Sequence, residues 1–350
     1  MHPPRLRRAQ HGFTLAELMI AITIGLLILA GMTTLFVNTS KAQGEIEKAN
    51  RQIENGRYAV SMLSDDLRNA GYYGEFDPTV LDVPAALPDP CLLTVAALKD
   101  ALPLHVQGID NAAAGALGCL SDLRAGTDIV VLRHTRTCVA GDSGCDPVSA
   151  GGPFLQASLC SNPTELESGN SADQYALGVD TSTLDRHKRD CTQVPGSGTL
   201  APVRRFQTNI YFVANNDNPN DGIPTLKRGE LGVSGGVLGI TVVPLVEGID
   251  NLQLEYGIDT NDDGVPDLFS SDPASANGCA TPACVPQNWR NVVSVKLNVL
   301  ARNLIPTTGF TDSKNYVLGN VTVAPTGDHY KRHVFQTMVN LPNPAGRKLP

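Results

Sequence analysis

A single carboxylate stands at the start of a long apolar run near the N-terminus of this chain. Glu17 closes the segment GFTLAE (Gly12–Glu17), and no residue from Leu18 to Ser40 is charged. Placing one carboxylate inside a membrane segment costs roughly 2.5–3.5 kcal/mol on insertion scales, so such a residue usually has a function. Three arginines and no acidic residue precede the segment: Arg5, Arg7 and Arg8. The spacing predicts a membrane segment whose acidic residue makes a specific interaction.

A second group of oxygen ligands lies in the stretch DTNDDGVPD, residues 259–267, here called the acidic loop. Oxygens at alternate positions around a glycine turn can wrap one Ca²⁺ ion. The ligands would be the side chains of Asp259, Asn261, Asp263 and Asp267 and the carbonyl oxygen of Val265. Ser270 stands where a full EF-hand loop has Glu, so we expect a Kd on the order of 10⁻⁴–10⁻³ M. The alternative is a polar hairpin turn, because Asp, Asn and Gly favour turns.

Eight cysteines follow the apolar run, and an even number in an exported domain predicts disulfides. They are Cys91, Cys119, Cys138, Cys145, Cys160, Cys191, Cys279 and Cys284. Eight cysteines allow 105 pairings, and proximity in sequence favours Cys138–Cys145 and Cys279–Cys284. The sequence has no C-x-x-C and no zinc-like arrangement of cysteines with histidines.

Two short motifs imitate hydrolases. Ser143 lies in a Gly-Asp-Ser-Gly stretch, and Ser234 lies in Gly-Val-Ser-Gly-Gly. Cys145 follows the first, and His134 stands alone as a base. The second precedes a segment with strand character, whereas a nucleophile elbow requires a helix. We interpret both as glycine-rich turns and predict that the protein is not an enzyme and requires no cofactor.

The length of the apolar run and the charges of the chain indicate where the protein is located and what it does not bind. Phe13–Val37 would form about 37 Å of helix, which is enough to cross a bilayer. The arginines before it predict a cytoplasmic N-terminus, with the chain after Lys41 translocated. Net charge is −8 over 350 residues; without residues 1–12 it is −11, from 24 basic and 35 acidic residues. This balance argues against bulk nucleic-acid binding. An ordinary signal peptide cut near Ala30-Gly31 is the alternative, but it needs no acid at Glu17.

A helical repeat continues beyond the apolar run, with apolar residues at steps of three and four. These are Ile46, Ala49, Ile53, Gly56, Val60, Leu63, Leu67 and Ala70. Gly71 is suited to the C-cap, so the whole helix from Phe13 would be about 87 Å long.

Alternation and turn residues predict seven strands: Thr127–Arg133, Arg205–Ala214, Val237–Val246, Asn251–Ile258, Asn291–Arg302, Tyr316–Ala324 and Arg332–Leu341. Residues 77–202 between them are predicted to be loop-rich insertions pinned by disulfides. The expected class is α+β, a long helix packed on an antiparallel sheet.

The segment GFTLAE resembles the start of type IV prepilins, and Arg57–Gly74 is similar to the end of the long helix in minor pilins of the PilW family. Later similarities to that family are Leu252–Asp259 with its acidic turn, Trp289–Val295 with Arg302, and Arg332–Leu341. Where the family closes with Leu-Arg-Asn, this chain has Leu341-Pro342-Asn343, so a role for that arginine does not carry over.

The resemblance implies that a prepilin peptidase cuts after Gly12 and that Phe13 becomes a methylated N-terminus. Glu17 would then face the N-terminal amine of a neighbouring subunit; the alternative is an acid that extends to the membrane interface. The implied segments are a leader (1–12), a membrane or filament-core helix (13–40), an amphipathic helix (41–71), a head (72–341) and a flexible tail (342–350).

The implied function is that of a minor pilin that primes filament initiation, with the chain anchored in the bacterial inner membrane and its head in the periplasm, then on the cell surface. Its partners would be other minor and major pilins, the inner-membrane assembly platform, the prepilin peptidase and a tip adhesin. Such a protein would support twitching motility and adhesion. Alternatives are a type II secretion pseudopilin, a tip adhesin or DNA-uptake receptor, and a membrane-tethered hydrolase that uses Ser143 or Ser234.

Overall fold

The computed structural model describes residues 12–279 and 281–348. One helix, α1 (Leu15–Asn69), runs for 55 residues. The chain divides into two compact units, one ending at Asn50 and the other beginning at Arg51. The described part of the first unit is almost wholly helical, and an 18-residue window there has a mean hydropathy of 2.4 with no buried residue. By length and composition this helix can cross a membrane.

Over the described residues, the second unit holds thirteen strands in three sheets, all paired antiparallel. The strands are β1 (Val106–Ala112), β2 (Thr127–Thr135), β3 (Phe154–Ala157), β4 (Tyr175–Gly178), β5 (Val203–Ala214), β6 (Thr225–Ser234), β7 (Val237–Glu247), β8 (Ile249–Ile258), β9 (Leu268–Ser270), β10 (Val292–Arg302), β11 (Tyr316–Leu318), β12 (Val321–Val323) and β13 (Arg332–Asn340). The shorter helices are α2 (Val95–Ala101), α3 (Cys284–Arg290) and α4 (Pro342–Gly346), with 3-10 turns at Pro78–Val80, Val148–Ala150, Leu166–Ser168 and Ser171–Asp173.

Strand β5 is the centre of the larger sheet. It pairs with β2 along one edge, and β1 lies beyond β2; its other edge pairs with β6 and then with β3, which carry β7 and β4 on their far sides. The smaller sheet has the order β13-β10-β8-β9, and β11 with β12 forms a separate hairpin. Apolar side chains of both sheets and of the second half of α1 share one core, which includes Leu63, Leu132 and Leu297. This arrangement confirms the predicted α+β class.

The buried stripe of α1 differs from the predicted apolar seam. Ile53 is 39% exposed, whereas the polar side chain of Gln52 is buried and its amide donates to the carbonyl oxygens of Ala301, at 2.7 Å, and Lys331, at 3.0 Å. Gly56, Leu63 and Leu67 of the predicted seam are buried, so the seam and the stripe differ mainly at Gln52, which its two backbone acceptors allow to be buried.

Gly56 packs directly against Phe335 of the smaller sheet. A Cβ atom at Gly56 would lie 2.1 Å from Cε2 of Phe335, so a larger residue must displace that ring. We expect Gly56→Leu to destabilise the fold by about 2–3 kcal/mol, because overpacking a filled core is costly. Gly44→Leu in the same helix is the matched control, since its Cβ would meet nothing within 4 Å. Denaturant unfolding of both variants tests this; equal stabilities would contradict it.

The prediction for residues 77–202 is wrong in one respect: they supply strands and core and do more than form loops. They contain β1, β3 and β4, and side chains such as Leu102, Leu155 and Tyr175 are buried in a second apolar cluster. Strands of four residues are too short to display an alternating pattern. In β1 the register shifts between Ile109 and Ala112, which breaks the alternation.

Six of the seven predicted strands are present with bounds within a few residues, but Tyr316–Ala324 is a hairpin. Its two strands turn at Gly319 and Asn320, and Gly319 has a φ of +64°. Strand β6 is not among the predicted strands, because its two glycines and three charged residues mask the strand pattern.

Disulfides in the head are confirmed, and every cysteine of the chain is paired. The bonds are Cys91–Cys119, Cys138–Cys145, Cys160–Cys191 and Cys279–Cys284. The two disulfides that span 28 and 31 residues both lie within residues 77–202. They constrain this region, as predicted for its cysteines.

The predicted flexible tail is wrong for its described residues, 342–348. Pro342 begins α4, where its fixed φ suits the first helical turn. The amide of Asn343 donates to the carbonyl oxygens of Arg68 and Ala70, and the guanidinium of Arg347 donates to that of Gly71. The tail therefore satisfies carbonyl groups at the C-terminus of α1, which composition alone did not reveal.

Candidate functional site

The N-terminal segment places Glu17 in the first turn of α1. Gly12, Phe13 and Thr14 precede the helix, and Phe13 is 90% exposed. The carbonyl of Thr14 accepts the N–H of Leu18 at 3.2 Å, so Thr14 is the residue that caps the helix. The peptide bond between Gly12 and Phe13 therefore lies outside the helix in a segment with exposed side chains.

Thr14 and Glu17 hold each other in a reciprocal capping arrangement. The Glu17 carboxylate accepts from the Thr14 backbone N–H and from its hydroxyl, both at 2.9 Å, while the Thr14 hydroxyl accepts from the Glu17 N–H at 3.3 Å. This is the T-x-x-E capping box. The spacing of Thr14 and Glu17 in the sequence already carries this signal, beside the charge of Glu17. The same side chain thus caps its own helix in the isolated chain.

The acidic loop is closed by its own hydrogen bonds. Asp259 is fully buried, and its carboxylate accepts from the backbone N–H groups of Asn261, Asp262 and Gly264 at 2.8–3.2 Å. Asp267 accepts from the N–H and the hydroxyl of Thr260, both at 2.7 Å. These hydrogen bonds lower the pKa of Asp267, hence the carboxylate stays charged. The loop has the hydrogen bonds of an Asx-rich turn.

Lys348 supplies a positive charge to this loop. Its ammonium lies 2.8 Å from Oδ1 of Asp262, 3.2 Å from Oδ1 of Asn291 and 3.4 Å from Oδ2 of Asp259. Within residues 12–279 and 281–348, no group of three or more His, Cys, Asp or Glu is placed to hold a metal ion. The pattern of the loop alone could not predict this contact, because Lys348 lies far from the loop in the sequence.

Calcium binding at this loop stays a prediction, and Lys348 sharpens its test. A bound Ca²⁺ ion would have to displace the ammonium of Lys348, so Lys348→Met should raise the calcium affinity relative to wild type. We expect a calcium-dependent increase in Tm at lower calcium concentration in Lys348→Met, measured by thermal unfolding with Mg²⁺ as the control ion. A Tm that calcium does not change in either protein would exclude the site.

The two serine motifs lie in exposed turns. Ser234 ends β6, and Gly235 and Gly236 form the two-residue turn to β7 with φ of +59° and +80°, as a type I′ hairpin requires. Ser143 is exposed in the short loop closed by the Cys138–Cys145 bond. Among the described residues neither hydroxyl is hydrogen-bonded to a histidine or a carboxylate, so neither has the base that activates a serine nucleophile.

His134, which has no evident partner in the sequence, belongs to a buried polar network in the structure. Asp66 of α1 accepts from Nε2 of His134 at 2.8 Å, from the amide of Asn209 and from the hydroxyl of Tyr211, both at 2.9 Å. Burial alone would raise the pKa of Asp66, but these partners outweigh it and lower the pKa below its usual value. The other ring nitrogen of His134 lies 3.0 Å from the carbonyl oxygen of Thr135. With both nitrogens engaged, this histidine ties α1 to the larger sheet.

Comparison with known families matches two separate segments. The prokaryotic N-terminal methylation motif matches residues 7–33, which include Gly12, Phe13 and Glu17. The family described as Type IV Pilus-assembly protein W matches residues 210–343, from β5 through β13 to the start of α4. Arg57–Gly74 lies outside both segments. No curated protein and no solved structure matches the chain. The chain is thus similar to methylated prepilins over residues 7–33 and to the PilW family of type IV pilus proteins over residues 210–343.

Proposed function

We propose that this protein is a minor pilin that primes the assembly of a type IV pilus. One observation carries the proposal: a prepilin methylation motif at residues 7–33 and a PilW-like head at residues 210–343 occur in one chain. The 55-residue helix that begins in the motif and ends in the head is the element such a subunit needs. Type IV pilins are structural proteins, so the work of the head is to bind other subunits.

The proposed route begins in the inner membrane. The apolar half of α1 spans the bilayer with Arg5, Arg7 and Arg8 on the cytoplasmic side, since cytoplasmic loops retain positive charge. The prepilin peptidase cuts after Gly12, and Phe13 becomes the methylated N-terminus. The head then folds in the periplasm, where four disulfides can form. After assembly it reaches the cell surface with the filament.

The proposed partners are other minor and major pilins, the inner-membrane assembly platform and an adhesin at the tip. Buried hydrogen-bond networks and disulfides hold the elements of the head in fixed positions, as with Asp66 and the Cys160–Cys191 bond. A preorganised surface loses little conformational freedom on binding, which favours a docking function.

A deletion strain complemented with the wild-type gene tests this proposal. Surface pili and twitching motility are measured beside type II secretion in the same strain. The expected result is loss of pili and of twitching with intact secretion, and complementation should restore both pili and twitching. Lost secretion with intact pili would instead identify a type II secretion pseudopilin.

One further strain, and two further measurements on the deletion strain, separate docking from the remaining alternatives. Complementation with Ser143→Ala and Ser234→Ala together should restore piliation fully, and failure to do so would support a hydrolase. Normal piliation in the deletion strain with a specific loss of adhesion or DNA uptake would point to a tip adhesin or an uptake receptor.

A further inference from the structure

A cavity of about 430 Å³ lies beside the C-terminal end of α1, a volume in the range of small-ligand sites. Three prolines, Pro78, Pro103 and Pro344, form part of its wall. Because proline fixes its own φ, these walls lose little freedom when a ligand binds. The polar part of the lining comes from His105, Arg290, Arg347, Lys348, Gln287, Asn291, Thr79 and Asp262.

His105 presents an unpaired acceptor in this lining. The side chain is 5% exposed, and its Nε2 lies 2.7 Å from the carbonyl oxygen of Val292, so Nε2 carries the proton. Nδ1 is therefore a lone-pair acceptor, and no residue in the described part of the chain donates to it. Burial, reinforced by the positive charges of Arg347 and Lys348, lowers the pKa of His105 to about 4. The ring stays neutral near pH 7, so only a ligand with an N–H or O–H group can satisfy Nδ1.

Arg347 presents donors in the same lining. Its Nη1 donates to the carbonyl oxygen of Gly71 at 2.9 Å, and its Nε lies 3.4 Å from Asp77. The two N–H groups on its Nη2 donate no hydrogen bond to another described residue. Lys348 differs, since its ammonium faces Asp262, Asn291 and Asp259. Arg290 uses both of its terminal nitrogens, which donate to the carbonyl oxygens of Leu81 at 3.2 Å and Thr79 at 2.8 Å. Arg347 is thus the arginine in this wall with a terminal nitrogen that donates to no other described residue.

We propose that this cavity binds an acidic residue of a partner polypeptide, whose main-chain N–H donates to Nδ1 of His105 and whose carboxylate accepts from Arg347. A simple anion such as chloride or acetate does not complete the site, because it has no N–H or O–H group to donate to Nδ1 of His105. A cationic ligand is repelled by Arg347 and Arg290. The lining residues include no Phe, Tyr or Trp ring on which a sugar could stack. An acidic residue in a peptide supplies the required donor and charge a few bonds apart.

Three blocked peptides test the proposal on the full chain in detergent micelles. The probe is acetyl-Gly-Asp-Gly-amide; its Asn analogue lacks the charge, and its N-methyl-Asp analogue lacks the N–H. Binding is followed by ¹⁵N NMR of the histidine ring nitrogens. We expect a saturable shift of Nδ1 of His105 with the Asp peptide and at least about tenfold weaker binding of both analogues. The Asn analogue loses the charge that pairs with Arg347, and the N-methyl analogue loses the N–H that pairs with His105.

Variants complete the experiment. His105→Phe removes the acceptor at similar volume and should abolish binding, whereas His329→Phe, outside the cavity, should not change it. If His105→Phe fails to fold, the three peptides on the wild-type chain still decide. No saturable shift, or equal binding of all three peptides, would overturn the assignment. This result is independent of the piliation assay, since the cavity can bind peptides whatever assembly the protein serves.

Discussion

Glu17→Ala is expected to be cut normally after Gly12 and to remain in the membrane, yet to enter filaments at a level at least about tenfold below wild type. The scissile bond lies outside α1, and the Glu17 carboxylate bonds to Thr14 and not to Gly12, so we expect cleavage to survive the removal of this carboxylate. Assembly is different, because the resemblance to prepilins pairs Glu17 with the N-terminal amine of a neighbour. In low dielectric, removing one partner of a charge pair leaves the other charge uncompensated. A loss of about 1.4 kcal/mol in the free energy of assembly already lowers the assembled fraction about tenfold.

The capping box makes this prediction more specific. Glu17 has two separable features, a negative charge and an oxygen that accepts from Thr14. Glu17→Gln keeps an acceptor for the cap and loses the charge, whereas Thr14→Val keeps the charge and loses the hydroxyl. If the charge is what matters, Glu17→Gln should assemble as poorly as Glu17→Ala, and Thr14→Val should assemble almost as well as wild type.

The measurement is the amount of each variant in sheared pili relative to the amount in the membrane, with cleavage followed by the change in mass. Normal incorporation of Glu17→Ala would show that the carboxylate only extends to the membrane interface. Poor assembly of Thr14→Val alone would move the role from charge pairing to helix capping. A variant that stays uncut would reveal a part for Glu17 in peptidase recognition.

Long repeats made the fold class predictable. The helix was expected from Phe13 to Ala70 and runs from Leu15 to Asn69, because a period maintained over many turns averages out single exceptions. Strand β10 alternates Val293, Val295 and Leu297 with polar residues, and its bounds were predicted within one residue. Elements with local and regular patterns are those that a sequence reveals.

Short or interrupted elements, and contacts between distant residues, were not predictable in this way. Strands β3 and β4 have four residues each, too few for a pattern. The partners of Asp66 come from β2 and β5, and no spacing rule links a helix residue to His134 or to Tyr211. Lys348 reaches the acidic loop from 81 residues beyond Asp267, so the charge that the loop holds could not be read from the loop.

Arg332 also contacts residues that are distant in the sequence, and we expect these contacts to have a larger effect on the stability of the fold. Its side chain is 2% exposed at the start of β13 and contacts three carboxylates: Nε lies 2.6 Å from Asp250, Nη1 2.8 Å from Asp312, and Nη2 2.6 Å from Asp328. Asp250 and Asp312 are themselves almost fully buried. A guanidinium can serve three acceptors at once because its five N–H groups point in fixed directions.

Arg332→Met should destabilise the protein by about 3–5 kcal/mol, because it leaves buried carboxylates without their counter-charge. Arg124→Met is the matched control. Arg124 also pairs with Asp250, at 2.7 Å, but its side chain is 32% exposed, so its loss should cost about 1 kcal/mol or less. Denaturant unfolding under oxidising conditions, which preserve the disulfides, measures both. Equal losses in the two variants would contradict a central role for Arg332.

The pH dependence gives an independent test of the same cluster. Hydrogen bonding to Arg332 lowers the pKa of Asp328 in the folded protein. A lowered pKa contributes stability above the pKa of the unfolded chain, about 3.8, and this contribution is lost as pH falls toward the folded value. Arg332→Met removes that contribution, so the difference in unfolding free energy between wild type and variant should narrow between pH 7 and pH 3. A difference that stays constant over this range would mean that the loss comes from packing of the arginine side chain and not from its charge, since packing does not titrate.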